Sequence, residues 1–453
     1  MAHKLTAPRS RAALSLLAAF ALAFASLVSA GARSLARADA ATQRASTNSL
    51  SAKERAEMFD VVWKTINDKY YDPSFNGVDW NAVRERYRPR VEQAAGDEEF
   101  YDLLNQMAGE LRDAHTRVRS PLQNQNRKKQ QATSAGLLLF EVEGSTVVFD
   151  VTPDSDASRA GVTAGMVVRT IDGRAVEESL ASARREVGTS SSERAARLLT
   201  YLRLVAGEPG STLRLGLTRA DGAPLEVELT RATVSAAPRL DARLLPSGHA
   251  YVRFNHFRAP VAKQLKEALS KFRDAPGLIL DLRSNGGGDA REGLKVAGYF
   301  FDEKTQVARV VTRTGKSPSA LFGLVSLPKE IQAGEKGGQL YARPVVILVN
   351  EGTGSTSELI ANALQEHGRA YVIGAQSCGC VLGVLDHREL KGGGDLAISE
   401  IGFVTPDGRR LEGEGVKPNK SVNVTLRDLQ AGRDAALEAA DEYLKNLNSK
   451  AKT

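Results

Sequence analysis

Gly277-Leu278-Ile279-Leu280-Asp281-Leu282-Arg283-Ser284-Asn285-Gly286-Gly287-Gly288 decides the fold. Gly277 to Leu282 is a short apolar run broken by one acid, as in a strand buried on both faces, and it enters a glycine-rich turn directly. Pro344 to Asn350 (PVVILVN) repeats the pattern and leads through Glu351-Gly352-Thr353-Gly354 into a helix from Ser355 to His367, ended by Gly368. Tyr251-Val252-Arg253-Phe254 and Tyr371-Val372-Ile373 read as further strands, and Val261 to Phe272 and the stretch from Gly288 to Phe301 as helices. Strands alternating with helices predict an α/β domain whose central sheet is mostly parallel. The carboxyl ends of such strands face one crevice, so the turn at Ser284 to Gly288 and the turn before Ser355 converge.

Before this domain the period changes twice. Ser51-Ala52-Lys53-Glu54 has capping-box spacing and opens a helix with Met58, Val61, Val62 and Ile66 on one face, stopping at Tyr70-Tyr71-Asp72-Pro73. A second helix starts at Asp79 and carries Val83, Tyr87 and Val91; a third starts at Asp97 and ends near His115. Arg117 to Gln131 is basic and rich in Gln and Asn and reads as a linker. From Thr133 short β runs dominate, including Gly136 to Phe140, Val147 to Val151, Met166 to Gly173, Thr212 to Thr218 and Leu225 to Thr230, with a helical stretch from Glu193 to Val205. The predicted organisation is a leader over 1–40, a tether over 41–50, a helical domain over 51–130, a β domain over 131–235, the α/β domain over 236–445 and a frayed tail over 446–453.

The chain has 453 residues, 42% hydrophobic and 25% charged, with two cysteines. That length predicts about three domains, and the ordinary apolar fraction excludes a disordered chain or a polytopic membrane protein. Two cysteines exclude a disulfide-stapled scaffold and a multi-cysteine metal module. The net charge of +7 is concentrated in the leader, where Lys4, Arg9, Arg11, Arg33 and Arg37 face Asp39 alone. The remainder is too weakly basic to argue for nucleic acid. The apolar run from Ala12 to Ala30, ending in Val28-Ser29-Ala30 and followed by Ala38-Asp39-Ala40, has the layout of a secretory signal peptide. The chain is therefore expected to be periplasmic or secreted, or membrane-anchored if the leader is retained.

Ser355 falls at the first turn of a helix, beside the glycine-rich loop. A hydroxyl next to backbone donors and a helix N-terminus is what acyl transfer needs, a nucleophile and an oxyanion hole. The plainer reading is that Ser355-Thr356-Ser357-Glu358 is an N-cap with Glu at N3. A phosphate site is disfavoured, since neither loop has the Lys of a P-loop.

Five motifs in order resemble the S41 clan of serine peptidases, which contains the C-terminal-processing (tail-specific) enzymes and the tricorn core proteases. They are Tyr71-Asp72-Pro73 with Leu111-Arg112-Asp113-Ala114-His115-Thr116, then Asp281 to Gly288, Thr353-Gly354-Ser355-Thr356-Ser357-Glu358, Gly368 to Gly374, and Leu411-Glu412-Gly413-Glu414-Gly415-Val416-Lys417-Pro418. The resemblance implies a ClpP/crotonase-like catalytic sheet, a PDZ-like domain between helices and catalytic domain, Ser355 as nucleophile, and the amides of Gly287 and Thr356 as oxyanion hole. It implies that Ala135-Gly136-Leu137-Leu138 is the loop that receives the terminus of a protein or peptide substrate, added as a strand. No metal or organic cofactor is implied.

One departure matters. Tail-specific members use a Ser/Lys dyad, and Cys380 stands where the Lys falls; no Lys occurs between Ser355 and Lys391. Tricorn-like members take a histidine base from the Leu-x-x-x-His position and orient it with a glutamate, here His115 and Glu412. The expected function is an exported serine endopeptidase using Ser355, His115 and Glu412. The alternative is an inactive relative that binds peptides or an apolar ligand, with catalytic use of Cys380 as a further rival. Cys378-Gly379-Cys380 itself is compatible with a small disulfide, a redox switch or two inert thiols.

Overall fold

The structure is a computed structural model and describes residues 49–450 except 318, 321–324 and 327. The expected leader and most of the expected tether lie outside the described residues. None of the described helices is long and apolar enough to cross a membrane. The chain divides into Met1–Glu54 and Arg55–Thr453. In the first unit, the Ser51 N–H donates to Glu54 Oε2 at 2.9 Å and the Glu54 N–H to Ser51 Oγ at 3.3 Å, closing the helix start. Apart from the first three residues of that helix, everything that follows concerns the second unit.

The central sheet has the order Leu240–Leu244, Ala250–Phe254, Leu278–Asp281, Val345–Val349, Ala370–Gly374, Lys420–Ser421. The first pair is antiparallel and the rest are parallel. Side-chain alternation explains why the strands read as continuous apolar runs. Leu278, Leu280, Val345, Ile347 and Val349 point into a core shared with helices Val261–Lys271, Ala290–Gly298 and Thr356–Glu366. Ile279, Val346, Leu348 and Ile373 point to the other face, against Ala436, Ala440 and Leu444 of the helix Ala435–Lys450. That last helix continues to Lys450, which corrects the expected fraying over 446–450; 451–453 lie outside the described residues.

Helices Ala52–Lys69, Trp80–Glu92 and Asp97–Gly109 lie where the apolar spacing put them. The third stops earlier than expected, because Arg112 takes φ 56° and turns the chain away, leaving His115 in a loop. The segment read as a linker is ordered. It forms strand Arg117–Arg119, helix Pro121–Lys129 and strand Gln131–Ser134, the helix being opened by a capping box between Ser120 and Gln123. Arg117–Arg119 joins a second, antiparallel sheet through Asp395–Val404. Between helices and central sheet, strands Leu137–Val142, Ser145–Val151, Val167–Ile171, Thr212–Thr218 and Pro224–Thr230 form an antiparallel sheet packed on helices Val176–Val187 and Glu193–Val205. Leu137–Val142 is its edge.

Candidate active site

Two loops leave the adjacent parallel strands Leu278–Asp281 and Val345–Val349 and are stitched together. The Gly354 N–H donates to the Asn285 carbonyl at 3.0 Å, Ser357 Oγ to the same carbonyl at 2.8 Å, and Thr356 Oγ1 to the Gly288 carbonyl at 2.8 Å. Glycine at 287 is dictated by this approach: with φ 97°, an added Cβ would lie 2.7 Å from Ser355 Cβ and 2.8 Å from Thr356 N.

Ser355 has φ 55° and ψ −122°, a left-handed conformation that costs a non-glycine residue about 1–3 kcal/mol. The surroundings hold it there. Its N–H is shared between the Cys380 carbonyl at 2.8 Å and Glu358 Oε2 at 3.0 Å. Its hydroxyl Oγ stands 3.3 Å from His115 Nε2. The capping and nucleophile readings are therefore compatible. Glu358 reaches back to the backbone of Ser355, and the hydroxyl stays available.

His115 is half-buried in the loop after the third helix. Asp113 builds that loop: its Oδ1 accepts the N–H of His115 at 2.6 Å, the N–H of Thr116 at 2.8 Å and the hydroxyl of Ser399 at 2.9 Å. Burial pushes the imidazole down to about 4, with Asp113 pulling the other way. The ring is then neutral near pH 7 and able to take a proton. Its Nδ1 is buried without a hydrogen-bond partner.

Glu412, expected to orient that nitrogen, does not hydrogen-bond to it. Glu412 Oε2 accepts the Val381 N–H at 2.6 Å, and Oε1 is buried without a partner. Burial pushes Glu412 up to about 8, against the pull of the Ser191 hydroxyl and the Val381 N–H. An orphaned donor on His115 and an orphaned acceptor on Glu412 are chemically complementary. Joining them would reverse both shifts, because a carboxylate stabilises an imidazolium and the reverse.

The expected oxyanion donors are adjacent, but only one is free of a competing bond. The Thr356 N–H is the first of its helix and has no intrahelical acceptor. The Gly287 N–H donates to Asn285 Oδ1 at 3.0 Å, inside its own loop.

Cys378 and Cys380 are joined by a disulfide. Cys380 therefore has no thiol to act as a base or nucleophile, which removes the catalytic-cysteine rival for the oxidised chain. The ring packs against Ala195 and Ala114.

Of the expected peptide-binding residues, Ala135 and Leu137 belong to the core of the β-rich sheet, and Gly136 packs against Ser155. Leu138 lines a cavity of about 680 Å³ with Phe140, Leu198 and the edges of Ser284, Asn350 and Glu351. Neither Ser355 nor His115 lines it.

Sequence reasoning missed Asp113 and Arg194. Asp113 was readable as an Asp two residues before a turn His. Arg194 donates to the carbonyls of Ser377 at 2.8 Å and Glu414 at 2.6 Å, contacts between distant segments that no local pattern signals.

Residues 248–422 match the family described as "Peptidase family S41", and residues 51–109 match "Tricorn protease C1 domain". The chain is similar to the carboxyl-terminal-processing protease of Synechocystis sp., 27% identical over 418 residues that cover 88% of each protein. It is similar to the chloroplastic C-terminal processing peptidase of Tetradesmus obliquus, 28% identical over 400 residues, 84% of this chain and 81% of that one. The solved photosystem II D1 C-terminal processing protease superposes with a TM-score of 0.55 at 25% identity, covering 86% of this chain and 97% of that one.

Proposed function

Because the chain belongs to peptidase family S41, we propose that it is an exported serine endopeptidase that cuts protein or peptide substrates near their C-termini. The observation that carries this reading is the 3.3 Å approach of His115 Nε2 to Ser355 Oγ, in a chain where Cys380 is closed in a disulfide. His115 takes the hydroxyl proton as Ser355 attacks the scissile carbonyl, and returns it to the leaving amine. The Thr356 N–H, and the Gly287 N–H once it leaves Asn285, hold the oxyanion. Glu412 turns to His115 Nδ1 as positive charge develops on the ring. Apo sites are often this loose and tighten with substrate.

The β-rich segment serves as a PDZ-like module. Support comes from the open edge of Leu137–Val142 and the adjoining cavity, where an added strand would place its last apolar side chain between Leu138, Phe140 and Leu198. Export rests on the leader, and a periplasmic or secreted location follows from it.

A second reading, a non-hydrolytic binding protein, is favoured by the occupied Gly287 N–H. Labelling the purified chain with a fluorophosphonate separates the two. Labelling that disappears in Ser355→Ala is expected. A chain that stays unlabelled at saturating probe from pH 5 to 9 is a binding protein.

A further inference from the structure

The Cys378–Cys380 disulfide touches both partners of the proposed catalytic pair. On one side, the Cys380 carbonyl accepts the Ser355 N–H at 2.8 Å. On the other, the sulfur-bearing residues pack against Ala114, the residue before His115. The same short loop is fixed at every peptide: the Cys378 N–H donates to the Thr353 carbonyl at 3.0 Å, the Gly379 N–H to Glu358 Oε1 at 2.7 Å, and the Cys380 N–H to Glu358 Oε2 at 3.0 Å. One residue further on, the Val381 N–H holds Glu412. A covalent ring of three residues thus lies between nucleophile, base and the glutamate proposed to steer the base.

We infer that the Cys378–Cys380 disulfide positions Ser355 and His115, so that the oxidised chain is the fast form and a dithiol reductant slows it. The inference rests on the serine-peptidase reading and deepens it. Opening the ring breaks one S–S bond and adds two electrons and two protons: a thiolate of the dithiol attacks one sulfur, its second thiol resolves the mixed disulfide, and two cysteine thiols and an oxidised dithiol result. The freed side chains regain rotamers, and the Cys380 carbonyl is no longer held under Ser355 by a covalent link. Displacing a reacting group by about 1 Å is enough to cost on the order of 100-fold in rate. Both cysteines are nearly enclosed, so a small dithiol is the suitable reductant.

The chain has only two cysteines, which gives a reductant a single target. The test measures fluorophosphonate labelling, and kcat and KM on a peptide with an apolar C-terminus, before and after dithiothreitol, with alkylation and intact mass reporting the thiols. With both thiols free, labelling and kcat are expected to fall about 10- to 100-fold while KM stays unchanged, and reoxidation to restore them. A chain carrying Cys378→Ser and Cys380→Ser is expected to start slow and to ignore dithiothreitol. Equal labelling of oxidised and fully alkylatable chains overturns the inference and leaves the peptidase reading standing. So does slowing of the doubly substituted chain by the reductant. Absence of labelling in either form removes the peptidase reading, and the inference with it.

Discussion

Glu358 holds Ser355 by the backbone, its Oε2 accepting the Ser355 N–H at 3.0 Å, so the serine hydroxyl is free to face His115. The same carboxylate also accepts the Ser377 hydroxyl at 2.6 Å and two amides of the disulfide loop, tying Ser355 to that loop. Removing it leaves three donors in an enclosed site without an acceptor, the Ser377 hydroxyl and the N–H groups of Gly379 and Cys380, each costing about 1–3 kcal/mol; the Ser355 N–H keeps the Cys380 carbonyl. Glu358→Ala is expected to lower the unfolding free energy by several kcal/mol; Glu358→Gln, which keeps the shape and one oxygen, by about half as much. Chemical denaturation measures both, and equal stability of Glu358→Ala and wild type would remove the clamp.

The pH dependence of stability separates the two buried glutamates from the histidine. Burial raises Glu358 to about 7 and Glu412 to about 8 from an ordinary 4.5. Their contribution is complete below 4.5 and is lost as pH rises through the folded values. His115 is lowered from 6.5 to about 4, so it works in the opposite sense, and its effect is finished by pH 6.5. Between pH 6.5 and 8 the glutamates act alone among these three. Wild type is expected to lose about 1–2 kcal/mol across that window, and Glu412→Gln to lose less. A wild-type stability that rises there contradicts the assignment.

His115→Ala is expected to reduce kcat by roughly 10⁴-fold with little change in KM, because the base acts only in the transition state. The acid limb of kcat/KM reports the base in the free enzyme. With the imidazole lowered to about 4, the profile should stay flat to about pH 5, well below the fall expected of an unperturbed ring. In the substrate complex, contact with Glu412 would raise the imidazole, so the limb of kcat should lie higher than that of kcat/KM. Glu412→Gln should bring the two limbs together and reduce kcat less than His115→Ala. A wild-type kcat/KM limb at or above 6.5 would mean that another group is the base.

Much of this site could be read because its chemistry sits on short, strongly patterned segments. Strands Leu278–Asp281 and Val345–Val349 are apolar on both faces, and the turns that follow them hold Gly287 and Ser355. The pairing of Ser355 with His115 came from family resemblance, since no spacing links residues so far apart. The stretch after His115 was misread because its polar composition hides order: a Ser120–Gln123 capping box opens the helix Pro121–Lys129, and Asn124 is buried with its amide donating to the Gly393 carbonyl at 2.9 Å. The helix Ala435–Lys450 was not read from the sequence, because of its buried positions Ala436, Ala440 and Leu444 only the last is large enough to mark an apolar face. Glu412 was placed near the base by motif, yet its hydrogen bond goes to Val381, a choice made by tertiary packing.

The β-rich segment braces the disulfide loop and, in the proposed function, receives the substrate terminus; point variants can separate the two and a deletion cannot. Its helix Glu193–Val205 supports the disulfide loop: Ser192 Oγ donates to the Cys378 carbonyl, and Arg194 donates to the carbonyls of Ser377 and Glu414. Removing 133–234 would therefore strip the support of the disulfide loop along with the proposed groove. Leu138, by contrast, lines the cavity and touches none of these contacts. Leu138→Asp places a charge where an apolar substrate terminus is proposed to sit, so KM for a tailed peptide should rise at least about 10-fold, the equivalent of about 1.4 kcal/mol. Labelling of Ser355 by a small fluorophosphonate should be unchanged. Arg194→Ala should do the reverse, slowing both labelling and kcat about 10-fold, since a small displacement of the loop misplaces the nucleophile, with KM little altered. If Leu138→Asp slows the small probe as much as the peptide, the groove is part of the catalytic scaffold and strand addition there is wrong. If Arg194→Ala changes only KM, the helix serves recognition alone and does not brace the serine.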